Sequence, residues 1–439
     1  KLLSKSKEGK LESSIIDDLA KLVDHSSPRS IALPRSIAKK IKSFDKADKL
    51  EKTIARIPAW LDELDERFDD TSELRQKKEE DLDRILKRAN LSRGRYYGLI
   101  LLDGDKMGKW LDGSYDPLKY KEIWHPHIRQ QSELLAQSEA GLQSYLDESR
   151  PATPAYHTAI SKALNGFALH SSRNIVEEIF DGKVIYAGGD DLFAITSLES
   201  LIPCLFMLRC AYSGVWPHDE KLTNLETMIG QKASRIQIKS GYILLHEGEK
   251  KKRLIPSMGV KATASAGAVI CHCMTPIGAV LRELRSAEGR AKEEAQRDGF
   301  SISLMKRSGG TSRFTGNWNL GDTEELLSKN ELTLIIRLSH ALSCKTGRQA
   351  AYHIKLLLSG LPRENNVLGY EKRKNFISTT LLHQFKRHEL QAAQDVDELS
   401  FENLANDAAE IALKRDSAAA CSIDFLIAAI ELAEFLARQ

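Results

Sequence analysis

The sequence predicts an α+β protein in which a ferredoxin-like sheet of βαββαβ order lies between two helical domains. An apolar strand at 96–102 runs directly into Asp103. Two short apolar runs within 183–196 flank a Gly-Gly-Asp-Asp turn at 188–191, which is typical of a β-hairpin with carboxylates at its tip. Apolar residues at helical spacing fill 156–180, between the first strand and the hairpin.

The length of 439 residues allows two or three domains, and the pattern favours three. Residues 1–92 are rich in charge and carry an apolar stripe that begins at Ile15, so they predict a helical domain. Residues 93–310 hold the predicted sheet. The Gly- and Ser-rich stretch at 306–319 predicts a linker, and a second helical domain is predicted over 311–439.

The composition is that of an ordinary folded protein, with 42% hydrophobic and 28% charged residues. No apolar run approaches the ~20 residues that span a bilayer, so we expect no membrane segment and a cytoplasmic location. The net charge of +3 is too small to indicate nucleic-acid binding by itself. The six cysteines contain no Cys-x-x-Cys pair, which predicts free thiols rather than a zinc ribbon or a disulfide framework. Because the chain opens with Lys1, it is predicted to be part of a longer protein.

The remaining elements continue the same order along the chain. Residues 110–150 predict a largely helical insertion after the first strand. Beyond the hairpin the pattern predicts a helix at 198–212, an insert of loop and hairpin at 213–257, a strand at 263–271, a helix at 278–297 and a last strand at 300–305.

Carboxylates at the ends of two separate strands indicate a catalytic site. The βαββαβ order is expected to place the ends of the first two strands side by side, so that Asp103 approaches Asp190. Carboxylates from neighbouring strands can hold two Mg²⁺ ions roughly 3.5–4 Å apart and clamp an in-line phosphoryl displacement. A solvated turn explains the Gly-Gly-Asp-Asp sequence equally well by itself, but the two acidic places together favour catalysis. An EF-hand is excluded, because Met107 and Ser114 stand where oxygen-rich ligands are needed.

An ordered set of segments over about residues 96–310 resembles the large, polymerase-like subunit of type III CRISPR effector complexes, and most closely its III-B branch. The matching segments are Leu102-Asp103-Gly104-Asp105-Lys106-Met107-Gly108, the helix 159–169, the hairpin 186–192, Ala262-Thr263-Ala264-Ser265-Ala266-Gly267 and Ala291-Lys292-Glu293-Glu294-Ala295. Gly-Gly-Asp-Asp alone is weak evidence, whereas the ordered set is specific.

The resemblance implies a palm of the nucleotide cyclase and polymerase type, which makes cyclic oligoadenylate from ATP with Mg²⁺ or Mn²⁺ once target RNA is captured. It also implies a ribonucleoprotein complex for antiviral defence, with guide RNA, a small helical subunit, and backbone and guide-handle-binding subunits as partners. The family's HD nuclease, first palm and zinc module are not visible in this sequence. His218-Asp219 lacks the other ligands of an HD site.

The predicted catalytic and metal-binding residues are Asp103, Asp190 and Asp191, with Asp105 as a further candidate that could instead fix the turn. Contact with the nucleotide is predicted for Gly104, Lys106, Met107, Gly108, Gly188, Gly189, Ser265, Ala266, Gly267 and Lys292. Glycines and helix-opening amides can cradle phosphates, and the last four residues are assigned by the resemblance. Residues 265–267 could equally well pack a helix on the sheet, and Lys292 could complement a helix dipole.

Two other functions are compatible with parts of the pattern. A diguanylate cyclase shares the palm and the Gly-Gly hairpin, but Asp103 is followed here by Gly-Asp-Lys-Met-Gly-Lys-Trp, without the Asn that reads guanine in that family. A non-catalytic scaffold could use the palm for its shape and the helices for protein and RNA contacts. Such a scaffold has no physical need to hold repelling acids together, which favours the enzyme.

Overall fold

The computed structural model describes most of the chain. The described residues are 13–24, 53, 56–57, 60, 73–88, 94–115, 119–216, 235–246, 252–318, 330–347, 349–361, 369–389, 400–415 and 421–438. Within these ranges no helix is both long enough and apolar enough to cross a membrane. The His218-Asp219 pair and most of the acidic stretch 60–70 lie outside the described residues.

A six-stranded mixed sheet forms the centre of the fold, in the order β2-β3-β1-β7-β8-β9, and a separate three-stranded sheet has the order β4-β5-β6. The described strands are β1 (Tyr96–Gly104), β2 (Gly182–Gly188), β3 (Asp191–Ser197), β4 (Ile236–Lys239), β5 (Tyr242–His246), β6 (Lys252–Pro256), β7 (Ala264–His272), β8 (Gly299–Met305) and β9 (Thr311–Asn317).

Helices surround both sheets. The described helices are α1 (Ser13–Asp24), α2 (Glu73–Arg88), α3 (Met107–Leu111), α4 (Tyr120–Ile123), α5 (Pro126–Ala136), α6 (Ala140–Asp147), α7 (Pro154–Gly166), α8 (Leu198–Ser213), α9 (Ile277–Glu293), α10 (Glu331–His340), α11 (Gln349–Ser359), α12 (Tyr370–Arg387), α13 (Phe401–Lys414) and α14 (Ser422–Ala437). Turns of π-helix extend α7 at Phe167–Ser171 and Asn174–Ile179 and extend α10 at Ala341–Lys345.

The predicted α+β class and palm topology are confirmed. Strands β2, β3, β1 and β7 form the antiparallel ferredoxin-like core, and β8 adds to it in parallel through α9. One detail of the prediction is wrong. The first strand does not lie beside the first arm of the hairpin; it pairs with the second arm, β3, which separates it from β2. Asp103 therefore meets the hairpin tip from the β3 side.

Two helices clamp the sheet from opposite faces. Alternating residues of β1 divide between them: Ile100 and Leu102 belong to the main core beneath α8, whereas Leu99 packs with Val280 and Leu284 of α9. Strand β7 is buried along all nine of its residues, as expected for a strand covered on both faces. This clamp fixes the ends of β1 and α9 relative to each other.

The predicted linker at 306–319 is wrong from residue 311 to residue 317. Thr311–Asn317 is the edge strand β9, which pairs antiparallel with β8, so the sheet continues past the predicted end of the palm at residue 310. The Phe314 ring lies 4.9 Å from the Phe425 ring of α14. Helix α14 therefore packs against β9, and this C-terminal helix lies directly on the palm.

The two predicted insertions are present, with one addition. Residues 107–147 are largely helical, as expected. The predicted hairpin at 235–244 gains a third strand, β6, whose Ile255 shares the main core with Ile236 and Ile243. Among the described residues, Cys204, Cys210, Cys271 and Cys273 are free thiols, as predicted.

The packing of α9 on β7 depends on Gly267. A Cβ at this position would lie 2.8 Å from the Leu284 carbonyl oxygen and still closer to the Glu288 amide nitrogen. We expect Gly267→Ala to lower the free energy of unfolding by about 1–3 kcal/mol, because backbone atoms of α9 must move. Gly289→Ala on the same helix is the control; its Cβ meets nothing within 4 Å, so it should be neutral or stabilising. Denaturant titration measures both, and equal effects would contradict this packing.

Candidate active site

The hairpin tip and the end of β1 converge at one end of the sheet. The pairing of β1 with β3 runs up to Leu102 opposite Leu192, and Asp103 extends one residue beyond it. Gly188 pairs with Asp191 across the turn, and Gly189 takes the left-handed conformation with φ of 62°. The predicted glycines thus make the tight turn, and the turn brings the hairpin acids to Asp103.

The close approach of the two segments depends on Gly104. A Cβ at this position would lie 2.9 Å from the Asp190 Cβ and would also strike the Tyr212 hydroxyl group. Tyr212 lies in the last turn of α8 and is 1% exposed. Burial and repulsion from the surrounding carboxylates raise the pKa of Tyr212. Only a residue without a side chain therefore fits at position 104 beside the acids. Tyr212 is a buried, neutral side chain that packs beneath them.

The acids repel one another. Burial of the carboxylate, a hydrogen bond with Asp103 and repulsion from Asp103 and Asp190 raise the pKa of Asp191 to about 7. Burial and repulsion from Asp103 also raise the pKa of Asp190. Such a cluster is stabilised by a proton or by a cation.

Lys292 supplies a positive charge to this cluster. Its Nζ lies 2.5 Å from Asp103 Oδ2 and also contacts the Glu288 carboxylate one turn earlier on α9. Burial alone would lower the pKa of Lys292, but hydrogen bonds to Asp103 and Glu288 raise this pKa above its usual value. The side chain is therefore an ammonium ion at neutral pH. Lys292 therefore lies beside the acids as an ion-pair partner of Asp103.

Asp105 does not face the other acids, and its predicted role as a metal ligand is not supported. The residue is 2% exposed. Its carboxylate accepts hydrogen bonds from Thr263 Oγ1 at 2.8 Å, Ser265 Oγ at 2.7 Å and the Asp298 amide at 3.0 Å. Both oxygens are engaged within the protein, which favours the alternative that Asp105 fixes the turn.

The other predicted nucleotide contacts divide into two groups. Ser265, Ala266 and Gly267 are all buried, with Gly267 against α9, so the structure favours packing over direct nucleotide contact. In contrast, Lys106 and Gly108 are exposed at the start of α3, with Met107 partly exposed between them. The Lys106 ammonium lies 4.9 Å from the centre of the Tyr115 ring. All three residues follow Asp103 closely along the chain, at the same end of the sheet.

Two residues at the site were missed by sequence reasoning. Glu288 could have been found, because it lies four residues before Lys292 on a predicted helix and so shares its face. Tyr212 could not, because nothing in the sequence shows that the end of α8 meets Gly104. Side-chain contacts between segments 108 residues apart in sequence depend on the tertiary fold.

The carboxylates at this site fit a hard divalent cation whose remaining ligands come from a bound nucleotide. In the part of the chain that the structure describes, no three His, Cys, Asp or Glu side chains form a complete metal site. Mg²⁺, however, usually binds through one or two carboxylates together with water and substrate phosphates. Asp103 and Asp191 supply two close carboxylates whose mutual repulsion a cation would relieve, and the Lys292 ammonium already stabilises them in this way.

The raised pKa of Asp191 predicts a pH dependence of stability. Because the folded-state pKa lies above the ordinary value of 3.8, ionisation disfavours the folded state increasingly between pH 4 and about 7. We expect Asp191→Asn to stabilise the protein at pH 8 and to have little effect at pH 4. Asp147→Asn is the control of opposite sign, because hydrogen bonds from Lys121 and Gln143 lower the pKa of Asp147. The free energy of unfolding, measured with urea across this pH range, tests both variants. An effect of Asp191→Asn that does not change with pH would contradict the raised pKa of Asp191.

Known proteins resemble parts of this chain. Residues 96–233 match the second palm domain of the Cas10/Cmr2 family. The CRISPR system Cmr subunit Cmr2 of Pyrococcus furiosus is 26% identical over 265 residues, which cover 60% of this chain and 25% of that protein. The chain thus matches only a quarter of the length of this curated relative.

Two solved structures share the fold. A type III-B Cmr-beta complex in the apo state, determined by cryo-EM, contains a chain that matches 89% of this one with a TM-score of 0.51 and 14% identity. The match covers 42% of that chain. The Cmr-beta complex bound to cognate target RNA matches 75% of this chain and 38% of its own, with a TM-score of 0.50 and 16% identity. Residues 96–233, which contain Asp103 and the hairpin acids, are thus similar to the second palm domain of the Cas10/Cmr2 family.

Proposed function

We propose that this chain carries the nucleotidyltransferase centre of a type III CRISPR effector complex and makes cyclic oligoadenylate from ATP when target RNA is bound. The observation that carries the proposal is the convergence of Asp103 and Asp191 from two strands, with Lys292 2.5 Å from Asp103. Paired carboxylates with an adjacent cation are what phosphoryl transfer between nucleotides requires.

Each side chain has a part in this reaction. Asp103 and Asp191 would hold Mg²⁺ or Mn²⁺, with Asp190 beside them. When bound, such an ion lowers the pKa of an attacking hydroxyl group and neutralises charge on the triphosphate and the leaving pyrophosphate. Lys292 would move from Asp103 to a phosphate oxygen, since the carboxylate would then be neutralised by the metal. The exposed amides of Lys106 and Gly108 would donate to the phosphates.

The adenine base, the cyclic product and the control by RNA are proposed on the resemblance to the large subunit of type III CRISPR complexes. The curated relative is a Cmr subunit, and one structural neighbour is a Cmr-beta complex bound to cognate target RNA. We propose accordingly that guide RNA, target RNA, a small helical subunit and the backbone and guide-handle-binding subunits are partners of this chain in the cytoplasm.

The test is synthesis by the assembled complex with ATP or GTP as the only nucleotide. The proposal predicts products from ATP that resist phosphatase, since a ring has no terminal phosphate, and it predicts dependence on target RNA and on Mg²⁺ or Mn²⁺. Products from GTP alone would favour a diguanylate cyclase. No product from either nucleotide, together with no Mn²⁺ binding, would favour a non-catalytic scaffold.

A further inference from the structure

The loop that joins α9 to β8 has an unusual backbone. Three consecutive residues, Gln296, Arg297 and Asp298, have left-handed φ angles of 58°, 71° and 44°. Residues with a Cβ rarely adopt this conformation, and none of the three is glycine. Such a run persists only where the surroundings hold it in place, and strained segments of this kind cluster at functional sites. The loop begins four residues after Lys292.

Asp105 holds one side of this loop. Its Oδ2 accepts the Asp298 amide hydrogen at 3.0 Å, and its Oδ1 lies 3.7 Å from the Arg297 guanidinium group. Thr263 and Ser265 donate their hydroxyl groups to the same two oxygens. A buried carboxylate with three hydrogen-bond donors and a nearby guanidinium group is a rigid anchor, because charge-assisted hydrogen bonds are strong where water is excluded.

Arg209 of α8 holds the other side. Its Nε and Nη2 donate to Asp298 Oδ1 at 2.9 and 2.6 Å, and Arg209 is only 3% exposed. The Asp298 carbonyl oxygen accepts the Trp318 amide hydrogen at 3.0 Å. The loop therefore ties together β1, which carries Asp103, and α9, which carries Lys292.

We propose that Asp105 is a positioning residue, which holds the loop 296–298 in its left-handed conformation and thereby places Lys292 at Asp103. The effect on synthesis rests on the proposed function; the effect on the loop does not. An amide at this position offers one acceptor oxygen where the carboxylate offers two. Asp105→Asn should therefore release the loop without removing a side chain from the space it fills.

Two readouts distinguish positioning from metal binding. Hydrogen exchange of the peptide 294–300 in the full chain should become faster by about tenfold or more in Asp105→Asn, because the Asp298 amide loses a charged acceptor. In the assembled complex kcat should fall by about tenfold to a hundredfold, while the Kd for Mn²⁺ changes by less than about threefold. Asp103→Asn should weaken Mn²⁺ binding instead and leave the exchange of this peptide unchanged.

A rescue variant tests the link to strain. Gln296 is exposed, and glycine adopts positive φ without steric cost. Adding Gln296→Gly to Asp105→Asn should return both kcat and exchange to within about threefold of the wild type. Unchanged exchange in Asp105→Asn, failure of this rescue, or a loss of Mn²⁺ affinity equal to that of Asp103→Asn would overturn the proposal.

The outcomes separate this proposal from the proposed function. A wild-type complex without any product would refute the proposed function, and the exchange of peptide 294–300 would still decide whether Asp105 holds the loop. If Asp105→Asn does not fold, the Tm of the single variant Gln296→Gly tests whether the loop is strained. Relief of held strain predicts a rise of about 1–2 °C in Tm, and no rise would overturn the proposal.

Discussion

Nucleotide synthesis should be abolished when Asp190 and Asp191 are both replaced by alanine, with a loss of about a thousandfold or more. Asp191 is the close partner of Asp103, and Asp190 lies against Gly104. Without them, the divalent ion keeps a single carboxylate, and the triphosphate loses its clamp. Assembly on guide RNA should remain intact, because the two acids at the hairpin tip are not part of the apolar core. The measurement is product formed from ATP by the assembled, target-bound complex.

The matched control replaces another adjacent acidic pair, Asp147 and Glu148 at the end of α6, by alanine. It removes the same charge but lies in the helical insertion, so synthesis should stay within about twofold. If the Asp190 and Asp191 double variant fails to assemble, the hairpin has a structural role. If it assembles and keeps its activity, the catalytic assignment is wrong.

Gly104→Ala is expected to have the second-largest effect, and it acts without removing any functional group. The added methyl group would strike the Tyr212 hydroxyl and come within 2.9 Å of the Asp190 Cβ. Because Tyr212 is fully enclosed in the main core, the hairpin is the part that must move. A displacement of about 1 Å between the acids can lower kcat by about a hundredfold, and overpacking should lower the free energy of unfolding by about 1–3 kcal/mol.

Gly141→Ala is the control for this change. Gly141 lies on α6 in the helical insertion, and a Cβ there meets nothing within 4 Å. It should leave both the free energy of unfolding and kcat near the wild-type values. Denaturant unfolding and steady-state kinetics measure the two effects. Equal behaviour of the two alanine variants would show that Gly104 does not set the spacing of the acids.

The sequence was sufficient for the order of the palm and for the two acidic segments. Hydrophobic periodicity identifies strands and helices, and the motif spacing identifies which turns carry the acids. It did not give the neighbour of β1, because strand order in a sheet depends on which strands pair and not on their order along the chain. The structure places β3 between β1 and β2.

Composition also misled at β9. Its run of Thr, Ser, Arg and Gly indicated a linker, whereas Phe314 is buried and the strand pairs with β8 along its full length. Tertiary pairing overrides weak strand propensity at the edge of a sheet. Phe314 and Gly316 are buried whereas Arg313 is exposed, which is the alternation of a strand. This alternation cannot be recognised in the sequence without the sheet.

The two acids of Asp103-Gly104-Asp105 show the same limit at the site. The sequence presents both as candidates for binding a metal, with Asp105 able instead to fix the turn. Only the fold shows that Asp105 points into a cluster of donors from Thr263, Ser265 and Asp298, which lie more than 150 residues away in the chain. Lys292, in contrast, was found through the resemblance, and the structure places it at Asp103.

The most direct test of the central claim is the position of Mn²⁺, located by anomalous scattering in crystals grown with a non-hydrolysable ATP analogue. We predict an ion bound by both Asp103 and Asp191 and by phosphate oxygens, at the ~2.0–2.2 Å expected for hard divalent cations, with the Lys292 ammonium on a phosphate. Mn²⁺ absent from these carboxylates at saturating concentration, with Lys292 still paired to Asp103, would contradict the account.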